Sequence, residues 1–486
     1  MSWRLGALVL MAVAVALGLS YGACTQDDAF ISFRYAENLV NGHGLVYNPG
    51  ELVEGYTNLS WTLLMAVGLA ADADPVVFST LCGLAGLAFA VLATAWLARD
   101  PRMLVGLAAP LLVALDAQVA AEAVEGLETA LYMGVITLAV FCALRERDAD
   151  RPHIASTLLF GLAALTRPEA PLLMVLLHLG LLLDAKRAGQ SWARRIPRSA
   201  WAGLGLAVVL VGLTIWRLAY YGDPLPNTFY AKTGGFALPR GLAYVGAHAL
   251  AHPVLWLLVA GRFVIKERTE RTLPLAVTAF GFLAYVAWIG GDFKPTGRFV
   301  MPVLPLLAVL AGETLARWSR SKLALGFIGI TLIGQTFFLD HEARAWAEIR
   351  HANLEARRDL GDFLAATVPA DKVLAIHSAG AVPYYSGHRA IDMWGLTDRH
   401  IARSENPTQG EGMAGHEKSD PAYVFGRSPD LYIPEDKFFV LKSWELEPDA
   451  NFPDDFEDNY RSVSVEVDGR VFNCWARRDA TGIAWL

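Results

Sequence analysis

Residues 27–61 read DDAFISFRYAENLVNGHGLVYNPGELVEGYTNLSW and directly follow the first apolar run of the chain. The stretch opens on two adjacent carboxylates, Asp27 and Asp28. Phe30, Phe33, Tyr35 and Leu39, set against Arg34, Glu37 and Asn38, predict an amphipathic helix. A loop marked by Asn41-Gly-His-Gly44 and Asn48-Pro-Gly50 follows. A charged pair beside an apolar helix can be a solvated helix end. Here it is followed by a structured loop carrying Arg34, His43, Glu51 and Glu54. That combination makes the pair a candidate site at the lip of a membrane.

The rest of the chain supplies the membrane. It has 486 residues, 54% hydrophobic and only 18% charged, which is too apolar for a soluble globule. A helix needs about 20 apolar residues to cross a hydrocarbon core. Eleven apolar runs are read as spans: 3–23, 75–98, 103–120, 127–144, 154–166, 170–184, 199–221, 242–261, 272–290, 299–316 and 323–339. Residues 2–23 have the layout of a signal peptide, with Arg4 as basic flank, and are read as a retained anchor helix. Pro168 and Pro171 separate two short runs, for which one bent helix is the alternative. Residues 59–71 are too short to span and predict an in-plane or re-entrant helix, so that 27–71 forms the first extracytoplasmic loop.

Lys/Arg bias orients the spans. With Arg4 in the cytoplasm, the loops on its side carry Arg99 and Arg102, then Arg145, Arg147 and Arg151. They continue with Lys186, Arg187, Arg194, Arg195 and Arg198, with Arg262, Lys266, Arg268 and Arg271, and with Arg317, Arg320 and Lys322. Counting 59–71 as a span would invert this pattern. The opposite face collects Asp27-Asp28, Glu122, Glu125, Glu128, Arg167-Pro-Glu169, the loop 222–232 and the loop 290–298. A reporter fused after Lys186 is therefore expected in the cytoplasm and one after Asp340 outside it. If both report the cytoplasm, the gathering of polar motifs on one face is lost.

The net charge of -7 is unevenly distributed. From Asp340 onward 26 acidic residues face 16 basic ones, a charge of -10, which leaves +3 for the remainder. Two domains are expected: a membrane domain, 1–339, and an extracytoplasmic α/β domain, 340–486. The second reads as a helix over 341–366, buried strands at 373–376 and 438–441, and a hairpin over 461–475 turning at Asp468-Gly469. The absence of a basic stripe and of zinc-type cysteine spacing argues against nucleic-acid binding. Cys24, Cys82, Cys142 and Cys474 are too few for a disulfide scaffold, and Cys24 and Cys474 are expected to be unbridged.

A carboxylate at the membrane lip suits a general base for a sugar hydroxyl, or a metal ligand. A lipid-phosphate group needs cations, and Arg34, Arg167, Lys232, Lys294 and Arg298 lie on the correct face. Tyr56, Asn58, Trp61, Asn227, Tyr230 and Trp288 are the aromatic and amide residues suited to sugar rings. Each has a plainer reading. Arg167 with Glu169 makes an ion pair at a kink, Lys294 and Arg298 make interfacial anchors, Trp61 and Trp288 make belt aromatics, and Asp116 holds the bundle together.

The motifs Asp27-Asp-Ala-Phe-Ile-Ser-Phe-Arg-Tyr-Ala36, Gly42-His-Gly-Leu-Val-Tyr-Asn-Pro-Gly50 and Val53-Glu-Gly-Tyr-Thr-Asn58 resemble the first extracytoplasmic loop of C-type (GT-C) membrane glycosyltransferases. The nearest resemblance is to terminal arabinofuranosyltransferases. Glu125-Gly-Leu-Glu-Thr129, Leu165-Thr-Arg-Pro-Glu169, Leu225-Pro-Asn-Thr-Phe-Tyr-Ala-Lys232, Gly290-Gly-Asp292, Gly297-Arg298 and 380–398 extend the resemblance over most of the chain. It implies a polytopic α-helical GT-C fold and a polyprenyl-phosphate sugar donor, with arabinofuranose as the sugar. It also implies a cell-envelope glycan or glycolipid acceptor outside the cytoplasmic membrane. The central carboxylate is implied to be Asp27, with Asp28 positioning the donor or holding a divalent metal. Arg34, Arg167, Lys232 and Arg298 are the implied phosphate ligands. Glu54, Tyr56, Asn58, Glu169, Asn227, Tyr230 and Asp292 are the implied sugar and acceptor ligands. Two other functions fit the composition: a transporter or flippase of lipid-linked sugars, and a non-catalytic envelope assembly factor with the same fold.

Overall fold

The structure, a computed structural model, describes residues 3–100, 103–189, 192–265, 269–294, 296–318, 322–406, 409–410, 412–434, 439–440 and 451–486. Arg102, Lys266, Arg268, Arg320 and the outer residues of the expected strand, Phe438 and Leu441, lie outside the described residues, as does the side chain of Arg194.

Helices dominate the first two thirds. Pro75–Ala98 starts where theory puts a start: Pro75 opens the helix and the Asp74 carboxylate accepts from Val77 N at 2.9 Å. This helix packs closely on the segment leading into Thr129–Asp148, because Gly83 and Gly86 carry no Cβ to strike the backbone of Ala123 and Leu131. Among the described residues three helices are long and apolar enough to cross a membrane: Pro75–Ala98, Thr129–Asp148 and Arg195–Tyr220. Leu238–Ala251 and Pro253–Val264 make a fourth span if taken together, bent by 99° at His252.

Several of the eleven expected spans are therefore not single straight helices. Run 103–120 breaks at Asp116, whose carboxylate caps a new helix, Ala117–Glu122, through Gln118 N and Val119 N. Run 242–261 breaks where Pro253 removes a backbone donor. Run 323–339 does not stop at all. It continues through the expected domain boundary at 339/340 as one 46-residue helix, Lys322–Thr367. The short helix Leu59–Ala70 has 12 residues, about 18 Å by helical rise, which is too short for the membrane core.

The tail holds a six-stranded sheet. Its strands are β1 (Val373–Ile376), β2 (Arg389–Asp392), β3 (Leu431–Ile433), β4 (Phe439–Val440), β5 (Tyr460–Val467) and β6 (Arg470–Arg477). The order is β2-β1-β3-β6-β4, with β5 also paired to β6. β1 runs parallel to β2 and β3, while β6 is antiparallel to β3, β4 and β5. The expected hairpin is present, with Asp468 and Gly469 at positive φ in the turn between β5 and β6.

The first loop is sewn to this tail. Tyr35, Tyr47 and Tyr56 are buried in one apolar cluster with Leu374, Ile376, Leu431 and Ile433 of the sheet. Each such ring contributes on the order of 1.5–3 kcal/mol by burial. The opposite side of the helix Asp27–Val40 buries Phe30, Phe33 and Ala36 against Trp61, Met65 and Leu127. So the helix has no broad solvent face: Arg34 and Asn38 are buried as well. All four cysteines are free; Cys24 lies in the core of the helical body and Cys474 in that of the tail.

Candidate functional site

The helix Asp27–Val40 presents its two leading carboxylates to different partners. Asp27 accepts from Gly380 N at 3.0 Å and from Ala381 N at 2.9 Å, at the start of the tail helix Ala381–Ser386. Arg357 of the long helix stands 3.5 Å away. Gly380 is tight against Asp27, and any side chain there would strike it. Asp27 thus ties the tail to the first loop.

Asp28 meets charge instead. Burial pushes its carboxyl up, but Lys232, His416, Arg298 and Lys294 outweigh burial and hold it below the ordinary carboxylate range. Arg298 is oriented by Asp292, to which it donates twice, from Nε at 2.8 Å and from Nη2 at 3.0 Å. Arg167 is held between Glu169, at 2.8 Å, and Glu128, at 3.2 Å. The guanidinium groups of Arg167 and Arg298 lie 5.1 and 5.3 Å from the centroid of the same Phe299 ring. Lys232 is exposed at the edge of this group. Cations from two loops, Lys232 on one and Lys294 and Arg298 on the other, therefore act on one carboxylate, and Arg167 shares the Phe299 ring with Arg298.

Beneath them lies a buried ion network. Lys294, 1% exposed, donates to Glu125 at 2.6 Å and stands 3.6 Å from Glu122. Arg350 of the long helix pairs with Glu125, and Thr296 donates to Glu122 at 2.6 Å. The network joins the loops at 122–128 and 290–298 to the tail-bearing helix.

Other expected ligands are spent on structure. Arg34 donates to the carbonyls of Tyr47, Pro383 and His388 and to Asn48 Oδ1, and it lies over the Tyr47 ring. It is a clamp between loop and tail, not a phosphate ligand. Glu54 is gripped by Arg217 at 2.7 and 2.9 Å. Tyr56 is buried with its hydroxyl on Tyr221 at 3.1 Å. Asn58 donates to Glu128 and accepts from Ser32 and Thr62. Asn227 donates to the carbonyls of Gly395, Leu396 and Asp398 and accepts from Arg403. Tyr230 lies under Arg403, 4.0 Å from its guanidinium carbon. Arg34, Glu54, Tyr56, Asn58 and Asn227 thus direct their polar groups to partners within the chain, and Tyr230 meets Arg403 through its ring. Glu169 and Asp292 stay beside the site, as the partners that orient Arg167 and Arg298. Asp116 bonds His252 at 3.0 Å inside the helical body, the structural reading made of it above.

The sequence reading missed a group from the tail. A cavity of about 180 Å³ opens beside Asp27 and Asp28, walled by Lys294 and by Trp346, Arg350, Trp394 and His416 of the tail. His416 is wedged between Phe293 and Trp394, with ring centroids 4.8 and 4.3 Å away. Burial lowers the His416 pKa, Lys232 lowers it further, and Asp28 opposes both. The ring is neutral at pH 7. Only Trp394 fell within a motif noted above.

The donor set does not suit a divalent metal at Asp28. No three His, Cys, Asp or Glu side chains converge as a metal set among the described residues. Lys232, Arg298 and Lys294 already face this carboxylate and would repel a further cation.

The fold is similar to that of C-type membrane glycosyltransferases such as ArnT and the Archaeoglobus fulgidus oligosaccharyltransferase. ArnT from Cupriavidus metallidurans superposes in its apo state with a TM-score of 0.60 at 15% identity, over 98% of both chains. Its undecaprenyl phosphate complex gives 0.59 at 12% identity, over 97% of this chain and 98% of that one. In sequence, the chain is similar to a terminal beta-(1->2)-arabinofuranosyltransferase of Mycobacterium tuberculosis, 28% identical over 351 residues, covering 62% of this chain and 55% of that protein. A protein of the same name from Corynebacterium glutamicum is 29% identical over 340 residues, covering 59% of this chain and 47% of that one. The chain thus spans about half the length of these curated relatives. Residues 346–478 also match a domain of unknown function (DUF8728).

Proposed function

We propose that the chain is a membrane glycosyltransferase of the cytoplasmic membrane, with its tail on the extracytoplasmic side. It moves a sugar, with arabinofuranose the preferred reading, from a polyprenyl-phosphate donor to a cell-envelope glycan or glycolipid. The observation that carries this is the single carboxylate, Asp28, set among Lys232, Arg298 and Lys294 with Arg167 at the same aromatic ring. The named activity of the arabinofuranosyltransferases and the undecaprenyl phosphate bound to ArnT give the substrate class.

In this reading Arg167, Arg298 and Lys232 bind the donor phosphate, and Asp292 and Glu169 hold the two guanidinium groups in place. The acceptor hydroxyl oxygen attacks the anomeric carbon. The bond from that carbon to the phosphate oxygen breaks, Asp28 takes the hydroxyl proton, and polyprenyl phosphate leaves with its electron pair. The cations stabilise charge that grows on the leaving phosphate. A transporter is disfavoured because the polar residues cluster at one end of the bundle.

The direct test incubates purified protein with a panel of polyprenyl-phosphate sugars and an arabinan acceptor, and measures released polyprenyl phosphate and glycosylated product. Release from the arabinose-bearing lipid supports the reading; no release from any member of the panel overturns it.

A pH prediction follows from the surroundings of Asp28. Its pKa is lowered, so the base is ionised at neutral pH and loses that form only as pH falls through the lowered value. The acid limb of kcat/KM is expected below about 3.9, the ordinary Asp value. Lys232→Met removes a cation that holds the pKa down and should move the limb upward. A limb near 6.5 in the unmodified enzyme would point to a histidine instead.

A further inference from the structure

We propose that the cavity between the first loop and the tail is the subsite for the acceptor sugar, and that it takes a neutral, hydroxyl-rich ring. The proposal rests on the transferase reading above and deepens it.

Three observations carry it. The first is a buried polar group with nothing to bond. Thr25 lines the cavity and is 2% exposed, yet its hydroxyl has no partner. The neighbouring Gln26 Oε1 is also buried and unpartnered. An unmet buried polar group costs about 1–3 kcal/mol, so a ligand that meets both is favoured. A hydroxyl group donates to the amide oxygen and exchanges bonds with the threonine hydroxyl; a prenyl chain does neither.

The second is charge. The ionic walls are already compensated: Lys294 and Arg350 by Glu125, and Arg357 by Asp27. A charged occupant would disturb these pairs. The donor phosphate has its own cations, Arg167 and Arg298, at Phe299.

The third is shape. Trp346 and Trp394 are both half-buried and line the cavity, offering apolar faces to the C–H side of a sugar ring. Trp394 is held firmly. The Asp392 carboxylate accepts from Trp394 N at 2.9 Å, Gly395 N at 3.2 Å and Thr397 N at 2.8 Å, fixing the turn that carries the ring. Asp28 borders the same cavity, so a hydroxyl of the seated ring meets the proposed base. Trp346 and Trp394 belong to the stretch 346–478, the domain of unknown function, which gives that domain a role in acceptor choice.

The test uses full-length protein in lipid nanodiscs, with polyprenyl-phosphate arabinofuranose as donor and an octyl arabinofuranoside disaccharide as acceptor probe. Gln26→Ala and Trp394→Ala are each expected to raise the acceptor KM about tenfold, the size of one lost hydrogen bond or ring contact, with the donor KM unchanged. The unaltered donor KM also reports that a variant is folded. Gln26→Ala removes no bond of the folded chain through its Oε1, so it keeps the test decisive if Trp394→Ala misfolds. Acceptor KM values equal to those of the unmodified protein, or equal rises in both KM values, would overturn the proposal and make the cavity a hydrated seam. A complete lack of turnover by the unmodified protein would instead remove the transferase reading beneath it.

Discussion

Asp28→Asn is expected to reduce sugar transfer by about 100- to 10,000-fold while the protein stays folded and in the membrane. The expected loss follows from the environment of this carboxylate. Asp28 is the member of the pair that faces Lys232, Arg298 and Lys294, and it borders the cavity proposed above for the acceptor. Asp27→Asn should behave differently. Its side chain would still accept one backbone N–H at Gly380 or Ala381, but it would lose the charge facing Arg357. The expected result is a looser tail, seen as faster proteolysis near residue 380, with a smaller loss of transfer. The resemblance to known transferases favoured Asp27 as the base; the hydrogen bonds of the structure favour Asp28. Near-normal transfer by Asp28→Asn together with a dead Asp27→Asn would reverse the assignment.

The second large effect is on stability. Lys294→Met should destabilise the protein by about 3–5 kcal/mol, the cost of removing one partner from a buried ion pair. Lys294 is 1% exposed and serves both Glu122 and Glu125, which are 0% exposed. Without it, the two buried carboxylates keep Arg350 and Thr296, with Arg298 as a further charge acting on Glu122. Thermal unfolding in detergent measures this. An unchanged Tm would mean that water or the neighbouring cations already neutralise the pair. Methionine fills the space of the lysine stem, so a loss of stability is assigned to charge and not to a cavity.

The first loop was the legible part of the chain. The amphipathic spacing of Phe30, Phe33 and Leu39 located the helix Asp27–Val40, and the length of the run at 59–71 located the short helix Leu59–Ala70. The individual roles were not legible. Arg34, Glu54, Asn58 and Asn227 look like ligand-binding residues because they are polar and close to the acidic pair in sequence. Their partners are decided by chain segments that pattern cannot bring together, such as Pro383, which lies 349 positions from Arg34. The same limit hid His416. It sits in a loop without periodicity, and only folding sets it between Phe293 and Trp394. The breaks and continuations within the apolar runs were not legible for a related reason. Hydropathy registers an apolar run but not the Asp116 cap or the Pro253 break within it, nor the continuation of the last run to Thr367.

The convergence of Arg167, Arg298 and Lys232 is the centre of the functional account, and a structure of the protein with polyprenyl phosphate tests it most directly. The phosphate is expected within hydrogen-bonding reach of at least two of these three side chains, on the same side of the first loop as Asp28, with the prenyl chain running into the helical body. A phosphate seated away from all three would contradict the account.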